Sequence, residues 1–255
     1  MNIFYLPPTK MAQINYILLS IPKNAFSTVH SICDTIEGCV PALDILDPFD
    51  WEDFDQIGSV IGIIDNGSKW ADAHSILLVY LDPYERFCKG VTEHIWQNAN
   101  SVFPGDPIRI EQFPNLYKGL IAQANDELCN ISPYNNSGGP SHYAPWINHV
   151  EQLYISVTQN IAPNLGIHLV EIDSTNHSKL PKWFAHHYNL PTDVADIQSA
   201  NKSNDHKKHL YNLVIGHLRA NPKLDRSIRN GLNVEYLAID NLANFPAVGS
   251  PFSSS

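Results

Sequence analysis

Positive charge, sulfur and long apolar runs are all scarce in this 255-residue chain, and each scarcity excludes something. Sixteen Lys and Arg face 26 Asp and Glu, a formal charge of −10. General nucleic-acid binding relies on cations that neutralise phosphates, so nucleic acid is not an expected partner. Any anion the chain holds needs a local positive charge. The four cysteines (Cys33, Cys39, Cys88, Cys129) form no C-x-x-C pair and stand at no zinc-finger spacing from a histidine. Cys33 and Cys39 are near enough to bridge, but without a secretory signal they read as reduced, buried thiols. No stretch approaches the roughly 20 apolar residues of a membrane span. The start, MNIFYLPPTKMAQ, lacks a basic and then apolar leader. The expectation is a soluble, cytoplasmic protein with no membrane partner.

What is present is an ordinary globular composition, 44% hydrophobic and 16% charged, which excludes a disordered chain, a coiled coil or a collagen-like repeat. A chain this long buries about 70–75% of its unfolded surface. No internal repeat is visible. Tyr16–Ile21 (YILLSI) is a continuous apolar run suited to a strand buried on both faces. Helical spacing follows through Val29, Ile32, Cys33 and Ile36, with Gly38 and Pro41 as the stop. Residues 41–56 are acidic and hard to assign, and Ser59–Ile64 is a second apolar run. Ser75–Leu81 (SILLVYL) is the strongest strand; it ends at Asp82-Pro83, where Asp82 suits a cap and Pro83 a first helical position. A helix then runs to about Asn98. Leu116–Leu128 reads as another helix, Ile167–Ile172 as a third buried strand, Lys179–Tyr188 as a helix, and Asp205–Asn241 as mostly helical. Strands alternating with helices predict one α/β domain over residues 1–255, with a central parallel sheet flanked by helices and a helical C-terminal third.

Ligands of such sheets bind at the carboxyl ends of the strands. Two loops there carry chemistry. Pro22-Lys23-Asn24-Ala25-Phe26-Ser27-Thr28 puts a lysine, two hydroxyls and a helix N-terminus into one tight turn, a set able to cradle phosphate or sulfate. It lacks the glycines of a Walker A loop. On composition alone Ser27 could equally be a plain helix cap and Lys23 a solvated charge. The second loop is Asp82-Pro83-Tyr84-Glu85-Arg86-Phe87-Cys88-Lys89. Arg86, a turn into its helix beneath Asp82, reads as one half of a buried structural ion pair, while Glu85 and Glu93 read as solvated.

As a pair, PKNAFST after the first buried strand and LLVYLDPYERF across a later one resemble the carbohydrate-type sulfotransferases that use PAPS (3′-phosphoadenosine 5′-phosphosulfate). In that family a P-K-[TN]-[AG]-x-[ST]-[ST] loop holds the 5′-phosphosulfate and R-[DN]-P-x-x-R-x-x-S holds the 3′-phosphate. His142-Tyr143-Ala144-Pro145 is similar to its H-x-x-P segment, and Val170-Glu171 to its strand ending in glutamate. Asn201-Lys202-Ser203 resembles its N-K-S loop, and Tyr236 to Asp240 its terminal Y-x-x-[DE] helix. The matches follow the family's order over roughly residues 14–245. Three positions depart from it: Leu81 replaces the arginine and Lys89 the serine of the 3′-phosphate motif, and Phe26 fills a usually small position.

The resemblance implies a P-loop-like fold and transfer of a sulfuryl group from PAPS to an acceptor hydroxyl, on a glycan or small metabolite, with no metal. By that implication Lys23 stabilises the leaving phosphate. Residues 24–28, with the Ser27 and Thr28 hydroxyls, grip the 5′-phosphate. Lys89, Lys202 and Ser203 address the 3′-phosphate, and His142 takes the acceptor proton. Residues 99–165 are the expected acceptor lobe. His186-His187 and His206/His209 read as solvated or packed imidazoles, and His74 lies at the amino end of its strand, away from chemistry. Three other classes fit less of the chain: a kinase-like enzyme, a degenerate anion-binding protein of the same fold, and a transferase using another anionic donor.

Overall fold

The computed structural model describes residues 2–9, 13–21, 26–44, 71–102, 146–172, 179–190 and 205–245. Five strands form one sheet in the order β3-β1-β2-β4-β5: β1 Asn2–Tyr5, β2 Tyr16–Ser20, β3 Val40–Asp44, β4 Ser75–Tyr80 and β5 Gly166–Glu171. The helices are α1 Phe26–Cys33, α2 Pro83–Val102, α3 Trp146–Asn160, α4 Lys179–Tyr188, α5 Asp205–Ala220, α6 Pro222–Gly231 and α7 Asn233–Ala243. The architecture is α/β, and the C-terminal third is helical as the periodicity predicts. The sheet is mixed, which corrects the expectation of a purely parallel one. β2, β4 and β5 pair in parallel, but β1 pairs antiparallel with both β2 and β3. β3 therefore runs in the same sense as β2, with β1 wedged between them. The run Ser59–Ile64 and the helix predicted at Leu116–Leu128 lie outside the described residues.

The described residues divide into two compact units. The first, residues 1–82, 146–202 and 237–255, holds the sheet. Its strands are apolar on both faces: Tyr16, Leu18, Leu77 and Val79 meet α1 and α4, and the alternate residues Ile17, Leu19, Ile76 and Leu78 are equally buried. Against the first face pack Val29, Ile32 and Cys33 from α1 and Leu180, Trp183, Phe184 and Tyr188 from α4. α4 stops where Asn189 takes φ 52°, and the Leu190 N–H closes the end by donating to the Ala185 carbonyl. α3 buries Trp146, Ile147, Val150, Leu153, Tyr154 and Val157, and the Tyr154 hydroxyl donates to the Leu165 carbonyl (2.8 Å) ahead of β5.

The second unit, residues 83–145 and 203–236, joins α2, α5, α6 and the start of α7. Phe87, Cys88 and Val91 of α2 cluster with Leu210, Val214 and Leu218 of α5 and Leu224 and Ile228 of α6. Asn221 caps α6, accepting from the Leu224 N–H (3.4 Å), and Pro222 opens the helix where its missing N–H costs nothing.

Two histidines of the first unit are held below the ordinary imidazole range. For His149 the cause is burial, opposed by a hydrogen bond with Gln152. For His187 it is burial, opposed by the bond from Nδ1 to the Trp183 carbonyl (2.9 Å) and reinforced by His186. A folded pKa below the unfolded one means the unfolded chain binds more protons between the two values, so stability is lost as pH falls through that window. We expect the urea midpoint to drop between about pH 7.5 and about pH 5.5, and the drop to shrink when His149 and His187 are both replaced by Gln.

Candidate functional site

The strands that precede the two loops singled out by the sequence end at one edge of the sheet. β2 and β4 are adjacent and parallel, with Tyr16 opposite Ser75 and Ser20 opposite Val79, so both chains leave the sheet at the same edge. After β2, five residues (21–25) lead into α1 at Phe26. After β4, Leu81 and Asp82 lead into α2 at Pro83.

Pro22, Lys23, Asn24, Ala25, His142, Lys202 and Ser203 lie outside the described residues. Phe26 opens α1, so Ser27 falls inside the first turn instead of preceding the helix as a cap. Thr28 is buried at 2% exposure on the inner side of α1. Leu81 is also 2% exposed, packed among Val29, Ile32, Leu77 and Val79 in the core.

Lys89, in the second unit, is paired with Glu85 one turn earlier (2.7 Å), and both side chains are partly exposed. Such an i,i+4 pair is worth only about 0.3–0.5 kcal/mol, so it can release the lysine at little cost. Glu85 thus has a partner where the sequence suggested a solvated residue. Arg86 is a buried ion pair as expected: its Nη2 donates to Glu235 Oε2 (2.5 Å), both side chains wholly buried, with α7 supplying the carboxylate. Beside it the Tyr84 hydroxyl donates to Asp225, whose other oxygen accepts from Arg229 Nε (3.0 Å), and the Arg229 guanidinium lies 3.8 Å above the Tyr84 ring. The Tyr84 bond, then Arg229, holds the Asp225 carboxyl below its usual range.

One feature of the carboxyl edge escapes sequence reasoning. Tyr80, the last residue of β4, donates to Glu171 Oε2 (3.5 Å) at the end of β5. Burial first, then Glu171, and lesser repulsion from Asp82 and Asp240, push its phenol up to about 12. Glu171 and Asp240, each the acidic residue of a weak motif, thus converge on one tyrosine within the first unit. The only sequence signal for Tyr80 is its place at the end of SILLVY, and nothing local connects it to either acid.

His74 sits at the opposite, amino edge, where its Nδ1 accepts from the Asn15 N–H (3.2 Å). Among the described residues no group of three or more His, Cys, Asp or Glu side chains could hold a metal ion, and no helix is long and apolar enough to cross a membrane. Compared with family models, with curated proteins and with solved structures, the chain finds no match.

The Arg86–Glu235 pair makes a direct test of the second unit. Truncating one partner strands the other charge without water, at about 3–5 kcal/mol. Arg86→Met or Glu235→Leu should each cost that much in denaturant unfolding. The double variant should recover most of it, because two apolar side chains of similar volume leave no orphaned charge.

Proposed function

We propose that this protein transfers a sulfuryl group from an adenosine-type phosphosulfate donor to an acceptor hydroxyl. The observation that carries the reading is the in-register parallel pairing of β2 with β4, because it brings the exits of PKNAFST and LDPYERF to one edge of the sheet. In that reading the loop of residues 22–25 and the N-terminus of α1 receive the 5′-phosphosulfate, with the hydroxyls of Ser27 and Thr28. Lys23 neutralises charge that builds on the bridging oxygen as the S–O bond breaks. His142, as neutral imidazole, accepts the proton of the attacking hydroxyl. Positioning and charge stabilisation supply most of the rate, as in phosphoryl transfer. The acceptor is a glycan or small metabolite, and the setting is cytoplasmic.

PAPS itself is the donor by resemblance, with Lys89, Lys202 and Ser203 on the 3′-phosphate. A second reading has its own support. Leu81 is in the core and Lys89 is engaged by Glu85, which favours a donor of the same class without a 3′-phosphate, such as adenosine 5′-phosphosulfate.

Calorimetric titration with PAP (the desulfated product of PAPS) and with adenosine 5′-phosphosulfate separates the two. If PAPS is the donor, PAP binds more tightly, and Lys89→Ala weakens it about ten- to a hundred-fold, the worth of one charge-assisted contact, without touching the other nucleotide. Equal affinity for both assigns the donor that lacks the 3′-phosphate. Lys23→Ala should keep the melting temperature within a few degrees yet lower turnover about a hundred-fold or more. Sulfate transfer at a near-normal rate in that variant overturns the mechanism.

Leu81→Arg separates a packed core position from a vacant phosphate pocket. We expect it to lower stability by several kcal/mol in urea unfolding, since a guanidinium among Val29, Ile32 and Val79 has no partner there. A variant that kept its stability and bound PAP more tightly would restore the family's arginine to its role.

A further inference from the structure

We propose that Cys33 and Cys39 form a modification site that closes into an intrachain disulfide by exchange with a small-molecule disulfide of the glutathione class. This inference is independent of the sulfuryl-transfer reading. Cys33 is the last residue of α1 and Cys39 directly precedes β3. The chain between them doubles back in two steps: the Ile36 N–H donates to the Cys33 carbonyl (3.1 Å) and the Cys39 N–H to the Ile36 carbonyl (3.0 Å). Gly38, at φ +84°, makes the second reversal in a conformation that a side chain rarely permits. The result packs Cys39 against the core cluster that contains Cys33, near enough that each thiol shifts the titration of the other. Both are free.

Their surroundings are unequal, and that asymmetry sets the order of events. Cys33 is 3% exposed, whereas Cys39 is half-buried between the exposed Glu37, Gly38 and Val40. Its neighbour Cys39, then burial, then Asp34 drive the Cys33 thiol up, so it is the protonated member of the pair until Cys39 has reacted. Cys33 in turn pulls the Cys39 thiol below its ordinary value against the opposing effects of burial and Asp34. On the inner side Tyr188 is in the same cluster; its hydroxyl is buried and has no hydrogen-bond partner among the described residues. Cys39 is therefore the attacking sulfur and Cys33 the resolving one. Attack by a thiolate at a reachable sulfur is what the exchange reaction requires.

The steps balance. The Cys39 thiolate attacks one sulfur of the reagent; the reagent S–S bond breaks, a protein–reagent mixed disulfide forms, and one small thiolate leaves and takes a proton. Cys33 then gives its proton to solvent and attacks the Cys39 Sγ. The mixed bond breaks and the second small thiol departs. Two cysteine thiols are oxidised and one small disulfide is reduced to two thiols.

The test exposes the full chain to oxidised glutathione and follows intact mass, with peptide mapping under non-reducing conditions. The expected product has lost two hydrogens, maps to a Cys33–Cys39 link, and reverts on addition of dithiothreitol. Cys33→Ala should instead stop at a stable glutathione adduct on Cys39. Cys39→Ala should leave Cys33 at least about ten-fold slower to react, because it has lost both the accessible sulfur and its thiolate character. The unsubstituted protein decides the matter even if neither variant folds. An adduct persisting on Cys39 in that protein, no reaction at either residue, or a link to Cys88 or Cys129 would overturn the proposal.

Discussion

Everything at the carboxyl edge depends on the register between β2 and β4, and the hydrophobic pattern cannot choose that register. In a strand with one wet face, a slip of one residue sends the apolar set into solvent and is penalised at once. Here both faces of YILLS and SILLVY are buried, so a slipped sheet would bury nearly as much apolar surface. The discrimination comes from polar contacts at the amino edge. The Asn15 N–H donates to His74 Nδ1, the His74 N–H returns a bond to the Asn15 carbonyl (3.0 Å), and the Asn15 side chain reaches the Asp72 carbonyl (3.2 Å). Slipping β4 by one residue would break all three together. His74, at the amino edge, has a structural role on which the register of both strands relies.

This explains which elements were legible. Long apolar runs bounded by Pro or Gly mark a buried parallel strand unambiguously, so β2, β4 and β5 and the helices after them are readable. β1 and β3 are not. NIFY is a four-residue stretch followed at once by Leu6 and Pro7-Pro8, and VPALD carries a proline that argues against a strand. That argument holds only for interior strands. β3 is an edge strand, where a missing ladder donor can face outward, and its neighbour β1 then turns the sheet mixed. The ion pair at Arg86 shows the same boundary between local and distant information. An arginine one turn into a helix signals a buried partner, but that partner, Glu235, is 149 positions away. No spacing rule reaches it. For the loop after β2 only the flanks can be set against the sequence, because Lys23, like His142, Lys202 and Ser203, lies outside the described residues.

The distribution of charge constrains what the sheet edge can do with an anion. All five arginines (86, 109, 219, 226, 229) belong to the second unit, where ten basic residues meet nine acidic ones, leaving +1. The first unit has six lysines and 17 acidic residues, leaving −11, so it carries the whole negative balance of the chain. Part of that excess, Asp82, Glu171 and Asp240, bears on Tyr80 where β4 ends. An incoming dianion therefore meets a repulsive field that general electrostatic steering would only worsen. Recognition there has to be short-range: backbone N–H groups at a helix start, hydroxyls, and a lysine close enough to outweigh the more distant carboxylates through the falling dielectric of a closing site. Of the first unit's lysines (10, 23, 69, 179, 182, 202), only Lys23 lies in the connection between β2 and α1. The unit can offer an anion no guanidinium fork, only point charges. Leu81, just after β4, is apolar and buried. With an apolar residue there, any anion that this edge holds has to be met by lysines, hydroxyls and helix-start N–H groups.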